Sequence, residues 1–125
     1  MNKLKITLSW LPLVLLGLSM IMAGAGKLAG VPELHASFAA MGLPEWFGYF
    51  IGLAELLAGI AMFVRKWTAL AAFGLIPIMI GATYYHIAYQ VPSAVPAIVF
   101  IILAVYAVIV RKKEANWYPF QSISP

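Results

Sequence analysis

The feature that most constrains this chain is a run of 44 residues, Trp67 to Val110, in which no side chain carries a formal charge. As one helix rising about 1.5 Å per residue, the run would be about twice as long as the hydrocarbon core of a bilayer is thick. A break is visible near its middle, where Gln90, Pro92 and Pro96 occur together, and helix interiors rarely tolerate two prolines. The run is therefore predicted to form a hairpin of two membrane-spanning helices.

Two further apolar runs precede this hairpin. No charge lies between Lys5 and Lys27, and Glu55 is the only charged residue between Glu45 and Arg65. Each run reaches the length of about 20 residues that a transmembrane helix needs. The whole chain is 64% hydrophobic, with a mean hydropathy of +0.96. We expect one all-α transmembrane domain over residues 1–125, an up-and-down bundle with spans at about residues 6–28, 46–64, 67–89 and 94–110.

The positions of the charged residues predict how the bundle is oriented. The loops of one side carry Glu33 and Glu45 and no Lys or Arg, while the helix ends of the other side carry Lys3, Lys5, Arg65, Lys66, Arg111, Lys112 and Lys113. By the positive-inside rule both termini are expected in the cytoplasm. The net charge of +4 thus reflects membrane orientation, and no nucleic-acid partner is predicted. The expected setting is the lipid bilayer, with several passes through the plasma membrane, which is the inner membrane if the source is bacterial.

The first loop on the acidic side is long enough to hold structure of its own. Pro32 stands where a first helical turn accepts proline, and Gly42 stands where a helix would stop. Leu34, Phe38 and Met41 recur between them at helical spacing. We predict a short amphipathic helix from Pro32 to Met41 on the outer surface. It would either cover a pocket as a lid or only close the bundle.

Glu55 is the only carboxylate deep inside a predicted span. Gly48, Gly52, Glu55 and Gly59 are spaced by four, three and four residues, so they lie on one stripe of the second transmembrane helix. Because glycines at this spacing let another helix come close, Glu55 is expected to face a helix and not lipid. Lys27 is the only cation away from the cytoplasmic ends, and the two side chains lean toward each other from antiparallel helices. We predict that they pair.

A third ionisable group, His86, lies about one turn below the outer end of the third predicted span, at a similar depth. The sequence thus predicts a polar cluster in the outer half of the bundle, formed by Lys27, Glu55, His86, Thr83, Tyr85 and Gln90. This cluster would either bind a ligand or only fix how the helices pack. No catalytic residue is assigned. Neither His35 nor His86 is predicted to bind haem or a metal, because His35 lies in a surface loop and no carboxylate motif accompanies either residue.

Three segments in order carry a recognisable pattern: AGAGKLAG ends the first span, GLPEWFGYFIGLAELLAGIAMF forms the second, and IPIMIGATYYHIAYQ ends the third. Together they resemble the DoxX-like family of small four-helix membrane proteins. The resemblance extends from about Val14 to Ile109. It implies that Lys27, Glu55 and His86 are the positions that match the family's motifs.

The resemblance also implies a range of functions. DoxX-related proteins include a quinone-reducing subunit of an archaeal thiosulfate-oxidising enzyme, membrane partners of oxidative-stress proteins, and assembly chaperones for receptors in animals. We therefore expect an accessory subunit of a membrane redox system, with a partner protein and an outer-half pocket for a quinone or a similar amphipathic ligand. The alternative is a non-catalytic subunit that helps a larger membrane protein assemble. The chain has no cysteine, so any redox role needs a bound cofactor, and an independent enzyme is not expected.

Overall fold

The computed structural model describes residues 3–91 and 93–112, and all regular secondary structure in this part of the chain is helical. The five helices are α1 (Lys3–Leu28), α2 (Pro32–Ala40), α3 (Glu45–Ala61), α4 (Arg65–Ala88) and α5 (Val95–Arg111). The predicted all-α class is therefore confirmed over the described residues. The four long helices match the four predicted spans, and α2 matches the predicted surface helix. The predicted break of the long uncharged run is confirmed between Ala88 and Val95, while Pro92 itself and Lys113 lie outside the described residues.

The turn between α3 and α4 differs from the prediction. The sequence predicts one helix that extends to Val64 and another that begins at Trp67, so that the charged residues form the loop. In the structure α3 ends at Ala61 and α4 begins at Arg65, so the turn lies earlier and is apolar.

The physical reason for this shift is Thr68, whose side chain is fully buried beneath the turn. Its Oγ1 lies 2.9 Å from the carbonyl oxygen of Met62 and 3.0 Å from that of Val64. This one buried hydroxyl is therefore a hydrogen-bond donor within reach of two carbonyl oxygens of the turn. Arg65 and Lys66 are therefore free to form the first turn of α4, where their charged groups remain exposed.

The closest helix pair is α1 and α3, which run antiparallel along facing glycines. A Cβ atom placed on Gly24 would lie 2.5 Å from the carbonyl oxygen of Gly52, and one on Gly59 would lie 2.8 Å from that of Gly17. Since no side chain fits at these distances, the glycines allow the two backbones to touch. The predicted stripe of α3 therefore faces α1, and Glu55 on that stripe is buried between the helices.

The second helix pair is α4 and α5, and an apolar core joins the two pairs toward one end of the bundle. At this end, called the basic end below, α1 and α4 begin and α3 and α5 finish; its basic residues are Lys3, Lys5, Arg65, Lys66, Arg111 and Lys112. The core consists of Leu13, Leu16, Met20, Met62, Ala71, Ala72, Leu75, Met79, Ala104 and Ala107. The opposite end, called the α2 end, is covered by α2, in which no residue is buried.

The outside of the bundle is as apolar as its core. Large hydrophobic side chains stand exposed along all four long helices, among them Leu15, Leu57, Ile80 and Ile102. A protein surrounded by water rarely exposes continuous apolar surface of this extent. By length and composition, α1 and α4 can each cross a membrane, and α5 is a shorter apolar helix. These surfaces fit a lipid environment.

Candidate ligand-binding site

A cavity of about 730 Å³ lies beneath α2 at the α2 end of the bundle. Its size falls within the range of about 300–1,000 Å³ that is usual for small-molecule sites. It exists because the close packing of the core does not extend to this end, where α4 presents the small residues Gly81 and Ala82. Its lining consists of Lys27, Glu33, Leu34, Ala36, Ser37, Phe38, Met41, Leu43, Phe47, Ile51, Glu55, Pro77, Ile78, Met79, Gly81, Ala82, Tyr84, Tyr85, His86 and Val91.

The apolar face of α2 forms the cover of this cavity. Leu34, Phe38 and Met41, the three residues whose spacing predicts a surface helix, all line it. The ring of Phe38 meets that of Phe47 edge to face at 5.5 Å, which fastens α2 to α3. The predicted amphipathic helix thus lies over a pocket.

Lys27 and Glu55 lie together in the cavity wall. The Nζ of Lys27 is 2.8 Å from Oε1 of Glu55, and the two side chains are only 12% and 3% exposed. The predicted pairing is therefore confirmed, although the role of the pair stays a prediction. Burying an unpaired charge has a high free-energy cost, and each of the two groups lowers this cost for the other. Together they add no net charge to the wall.

The end of α1 is built to hold Lys27 in this place. Gly30, at a φ of 81°, ends the helix, and its N–H donates to the carbonyl oxygen of Lys27 over 3.1 Å. The same carbonyl lies 2.8 Å from Nε2 of His35 on α2. Since a carbonyl only accepts, the His35 ring carries a proton on Nε2. The ring itself lies against Gly48, which has no side chain to displace it, and contacts Tyr49 at 4.5 Å between centroids.

His86 faces the cavity from the last turn of α4. Its Nδ1 lies 3.0 Å from the carbonyl oxygen of Val91, so Nδ1 carries a proton and donates a hydrogen bond to that oxygen. This bond fixes the orientation of the ring and leaves Nε2 as the atom that can meet a ligand. Tyr85 also lines the cavity and contacts the His86 ring edge to face at 5.5 Å.

Two members of the predicted cluster lie elsewhere. Thr83 donates its hydroxyl to the carbonyl oxygen of Met79 over 2.8 Å, and Gln90 is an exposed residue with a φ of 56° that ends α4. Neither residue lines the cavity. Of the six predicted residues, the structure brings Lys27, Glu55, Tyr85 and His86 around one space. Nearness in sequence to His86 is why both residues are predicted in the cluster, but the Thr83 hydroxyl is bonded within its own helix and Gln90 lies beyond the end of α4.

His35 is the polar residue whose position sequence reasoning missed. The sequence raises His35 only as a metal ligand, a role that is not predicted, whereas in the structure its ring connects α2 to the end of α1. Gly48 was a usable signal, because a glycine at the start of the stripe on α3 leaves room for a flat ring. Within residues 3–91 and 93–112, no cluster of three His, Asp or Glu side chains is arranged for a metal ion.

The arrangement is therefore a mostly apolar cavity with a few hydrogen-bonding groups in its wall. Such a site suits an uncharged molecule that has an apolar ring or chain and one or two polar atoms. The fold and the site together define a small helical membrane protein with an internal pocket.

The chain belongs to the DoxX-like family, whose family model matches residues 11–110. This match confirms the resemblance in the three sequence segments. No curated protein matches the chain. Nor does any solved structure match it.

Proposed function

We propose that this protein is an accessory subunit of a membrane redox system and that it holds a quinone, or an uncharged ring molecule of similar shape, in the cavity beneath α2. The observation that carries the proposal is the Lys27–Glu55 pair, 2.8 Å apart in the wall of a mostly apolar cavity. A ligand carbonyl can accept from the Lys27 ammonium group. A second polar atom of the ligand can meet Nε2 of His86.

The charge of the site favours an uncharged ligand. Lys27 and Glu55 already compensate each other, and Glu33, the third charged residue of the lining, is exposed on α2. A fully charged ligand beside the buried pair would therefore have no partner of opposite charge there, in a region of low dielectric. The apolar side chains of α2 and α3 suit a ring, and the bilayer around the bundle suits a hydrophobic tail. The chain has no cysteine, so a redox-active group in this subunit has to be the bound molecule itself.

The test of this proposal is native mass spectrometry of protein released gently from its own membrane. We expect a retained small molecule on the wild-type protein, and its loss from Glu55→Gln. Glu45→Gln is the matched control, because it makes the same change on the same helix outside the cavity lining. An empty wild-type protein that also fails to bind added quinone would overturn the proposal. So would equal retention by Glu55→Gln.

The proposal includes an orientation for the bundle. We propose that residues 1–125 form one domain that crosses the plasma membrane four times, with the basic end and both termini in the cytoplasm. The charge distribution supports this orientation, since none of Glu33, Glu45 and Glu55 lies at the basic end. The cavity then opens in the outer half of the membrane.

The alternative function is that of an assembly partner for a larger membrane protein. One observation favours it: a Cβ atom on Gly74 of α4 would have no described atom within 4 Å beyond the adjacent residues and backbone of α4, so a notch on the exposed face remains available to another helix. By contrast, Gly48 and Gly52 are filled from within, by His35 and Lys27. Crosslinking from a photoreactive residue at position 74 in native membranes tests this alternative. Capture of one membrane protein supports it, and capture of lipid alone opposes it.

A further inference from the structure

We propose that the cavity beneath α2 opens sideways into the lipid over Pro77, Gly81 and Tyr84 of α4, and that its ligand is a lipid-borne molecule whose hydrocarbon tail leaves the protein beside Gly81. This inference rests on the ligand site proposed above for the same cavity. It adds the place where the tail leaves the protein, and with it the class of molecule that the cavity accepts.

The rim of the cavity consists of the residues that both line it and are exposed. Most of the lining residues are partly or fully buried. The exposed ones are Glu33 and Ala36 on α2, and Pro77, Gly81 and Tyr84 on α4. The opening of the cavity therefore lies between α2 and α4.

The three rim residues of α4 form one stripe of that helix. Pro77, Gly81 and Tyr84 are spaced by four and three residues, which places them on one face. At a rise of about 1.5 Å per residue, the stripe extends about 10 Å along the helix axis. Pro77 lies at the middle of α4, which runs from Arg65 to Ala88. The opening thus extends from near the end of α4 to its midpoint.

An opening of this length faces lipid and not only water. By length and composition α4 can cross a membrane, and the middle of a helix that does so lies within the hydrocarbon region. Next to the rim on α4, Ile80 and Ile87 are large apolar side chains that stand exposed. Tyr84 is 60% exposed, and tyrosine is favoured at the membrane–water interface. The opening is therefore continuous with the surface of the bundle that suits lipid.

The packing of α2 and the glycine of α4 together leave room for a chain at this opening. α2 is fastened to α1 through His35 and to α3 through the contact of Phe38 with Phe47. Gly81 adds no side chain to the rim on α4. A Cβ atom there would have no described atom within 4 Å beyond the adjacent residues and backbone of α4. The space beside Gly81 is therefore open to a hydrocarbon chain.

The polarity of the cavity gives such a ligand one orientation. Lys27 and Glu55 are only 12% and 3% exposed, so they belong to the inner wall and not to the rim. The rim is apolar at Pro77 and Gly81. A molecule with a polar head and an apolar tail matches this order, with its head at the ion pair and its tail over Gly81. A ring without a tail would leave the apolar opening unfilled.

The test is the binding of two quinones to the full chain in detergent micelles, measured by native mass spectrometry. One is decylubiquinone, and the other is the same ring without its decyl tail. The proteins compared are the wild type, Gly81→Leu and Gly74→Leu. Because each quinone is compared between proteins in the same detergent, its partition into the micelles does not affect the result.

Gly81→Leu places a side chain in the path of the tail. It should weaken the binding of decylubiquinone about tenfold or more, the effect of overpacking a filled space. The ring without a tail should bind to Gly81→Leu and to the wild type about equally. Since Gly81 is exposed and leucine is the better helix former, this variant is expected to fold, and circular dichroism checks that it does.

Gly74→Leu is the matched control. Gly74 lies two turns earlier on the same face of α4, is exposed and has the same open surroundings, but it does not line the cavity. This variant should bind both quinones as the wild type does. Ala36→Leu is a second control, because it enlarges the side chain at the α2 side of the rim. It should also leave the binding of both quinones unchanged.

The outcomes separate this inference from the proposed function. A wild-type protein that binds neither quinone would overturn both. A wild-type protein that binds only the ring without a tail would overturn the inference alone. So would unchanged binding of decylubiquinone by Gly81→Leu, or its loss from Ala36→Leu instead. Equal loss of both quinones from Gly81→Leu would overturn the inference as well, because Gly81 would then lie at the ring and not at the tail.

Discussion

At the scale of single residues, the two histidines have different roles that follow from their hydrogen bonds. His35 donates from Nε2 to the carbonyl oxygen of Lys27, and this hydrogen bond connects α2 to the end of α1. His86 donates from Nδ1 to the carbonyl oxygen of Val91, and its Nε2 is left for the cavity. The position of the proton therefore makes His35 a structural residue and His86 a candidate ligand contact.

The ion pair of the cavity wall leads to a prediction about stability. Glu55→Gln removes one charge and leaves the 12% exposed ammonium group of Lys27 without its partner, which should cost about 3 kcal/mol of unfolding free energy. Lys27→Met together with Glu55→Gln removes both charges and should cost less than the two single changes added together, with a coupling of about 2 kcal/mol. Reversible unfolding of all four proteins in the same detergent measures this cycle.

A coupling near zero would show that the two charges do not stabilise each other. A useful control is the same cycle with Glu45→Gln in place of Glu55→Gln. Glu45 is exposed in the first turn of α3 and should show no coupling to Lys27.

At the scale of helices, the α1–α3 contact depends on glycines that have no room for a methyl group. Gly24→Ala would place a Cβ atom 2.5 Å from both the Gly52 carbonyl oxygen and the Leu56 backbone nitrogen. Backbone atoms cannot move aside as a flexible side chain can, so the helices must separate. We expect a loss of about 1–3 kcal/mol in unfolding free energy.

Gly74→Ala is the matched control for this prediction, since among the described residues no atom beyond the adjacent residues and backbone of α4 lies within 4 Å of the new methyl group. Alanine is also the better helix former, so this variant should be at least as stable as the wild type. Detergent unfolding of both variants, with circular dichroism as the readout, compares them. If Gly24→Ala were as stable as Gly74→Ala, the close approach of α1 and α3 would be wrong.

The helices could be predicted from sequence because the membrane makes their signal simple. Long uncharged runs have to form helices in lipid, and the prolines and charges divide them, so all five helices were found within a few residues. The turn between α3 and α4 was misplaced because its position depends on Thr68, a buried hydroxyl whose role is visible only when the two helices are packed. Local sequence favours the charged residues as the loop, but the buried contact decides.

The candidate site could be predicted in part, for a related reason. Lys27, Glu55 and His86 stand out because ionisable residues are rare in apolar helices. Their depth in the predicted spans and the helix faces that they occupy were enough to predict that they lie close together. Uncharged polar residues give a weaker signal, and Thr83 instead satisfies its own helix. The cavity itself could not be predicted, since it results from where the close packing of four helices ends.

At the scale of the whole molecule, the packing of the core and the distribution of charge both differ between the two ends of the bundle. The packed core lies toward the basic end, and the cavity lies at the α2 end beneath a helix that carries Glu33. If basic residues remain in the cytoplasm, the tightly packed end faces inward and the cavity lies in the outer half of the membrane. Every function proposed for the cavity depends on this orientation, because it determines which leaflet supplies the ligand.

The orientation can be tested directly, because the chain has no cysteine and accepts single reporters without background. Glu33→Cys on α2 and Lys66→Cys on α4 both replace exposed residues, at opposite ends of the bundle. With a maleimide that does not cross membranes, we expect labelling of position 33 in intact cells and of position 66 only after permeabilisation. Labelling of both positions after permeabilisation is the control for reactivity. The reverse pattern would place the basic end outside the cell, and equal labelling of both positions in intact cells would contradict a bundle that crosses the membrane between them.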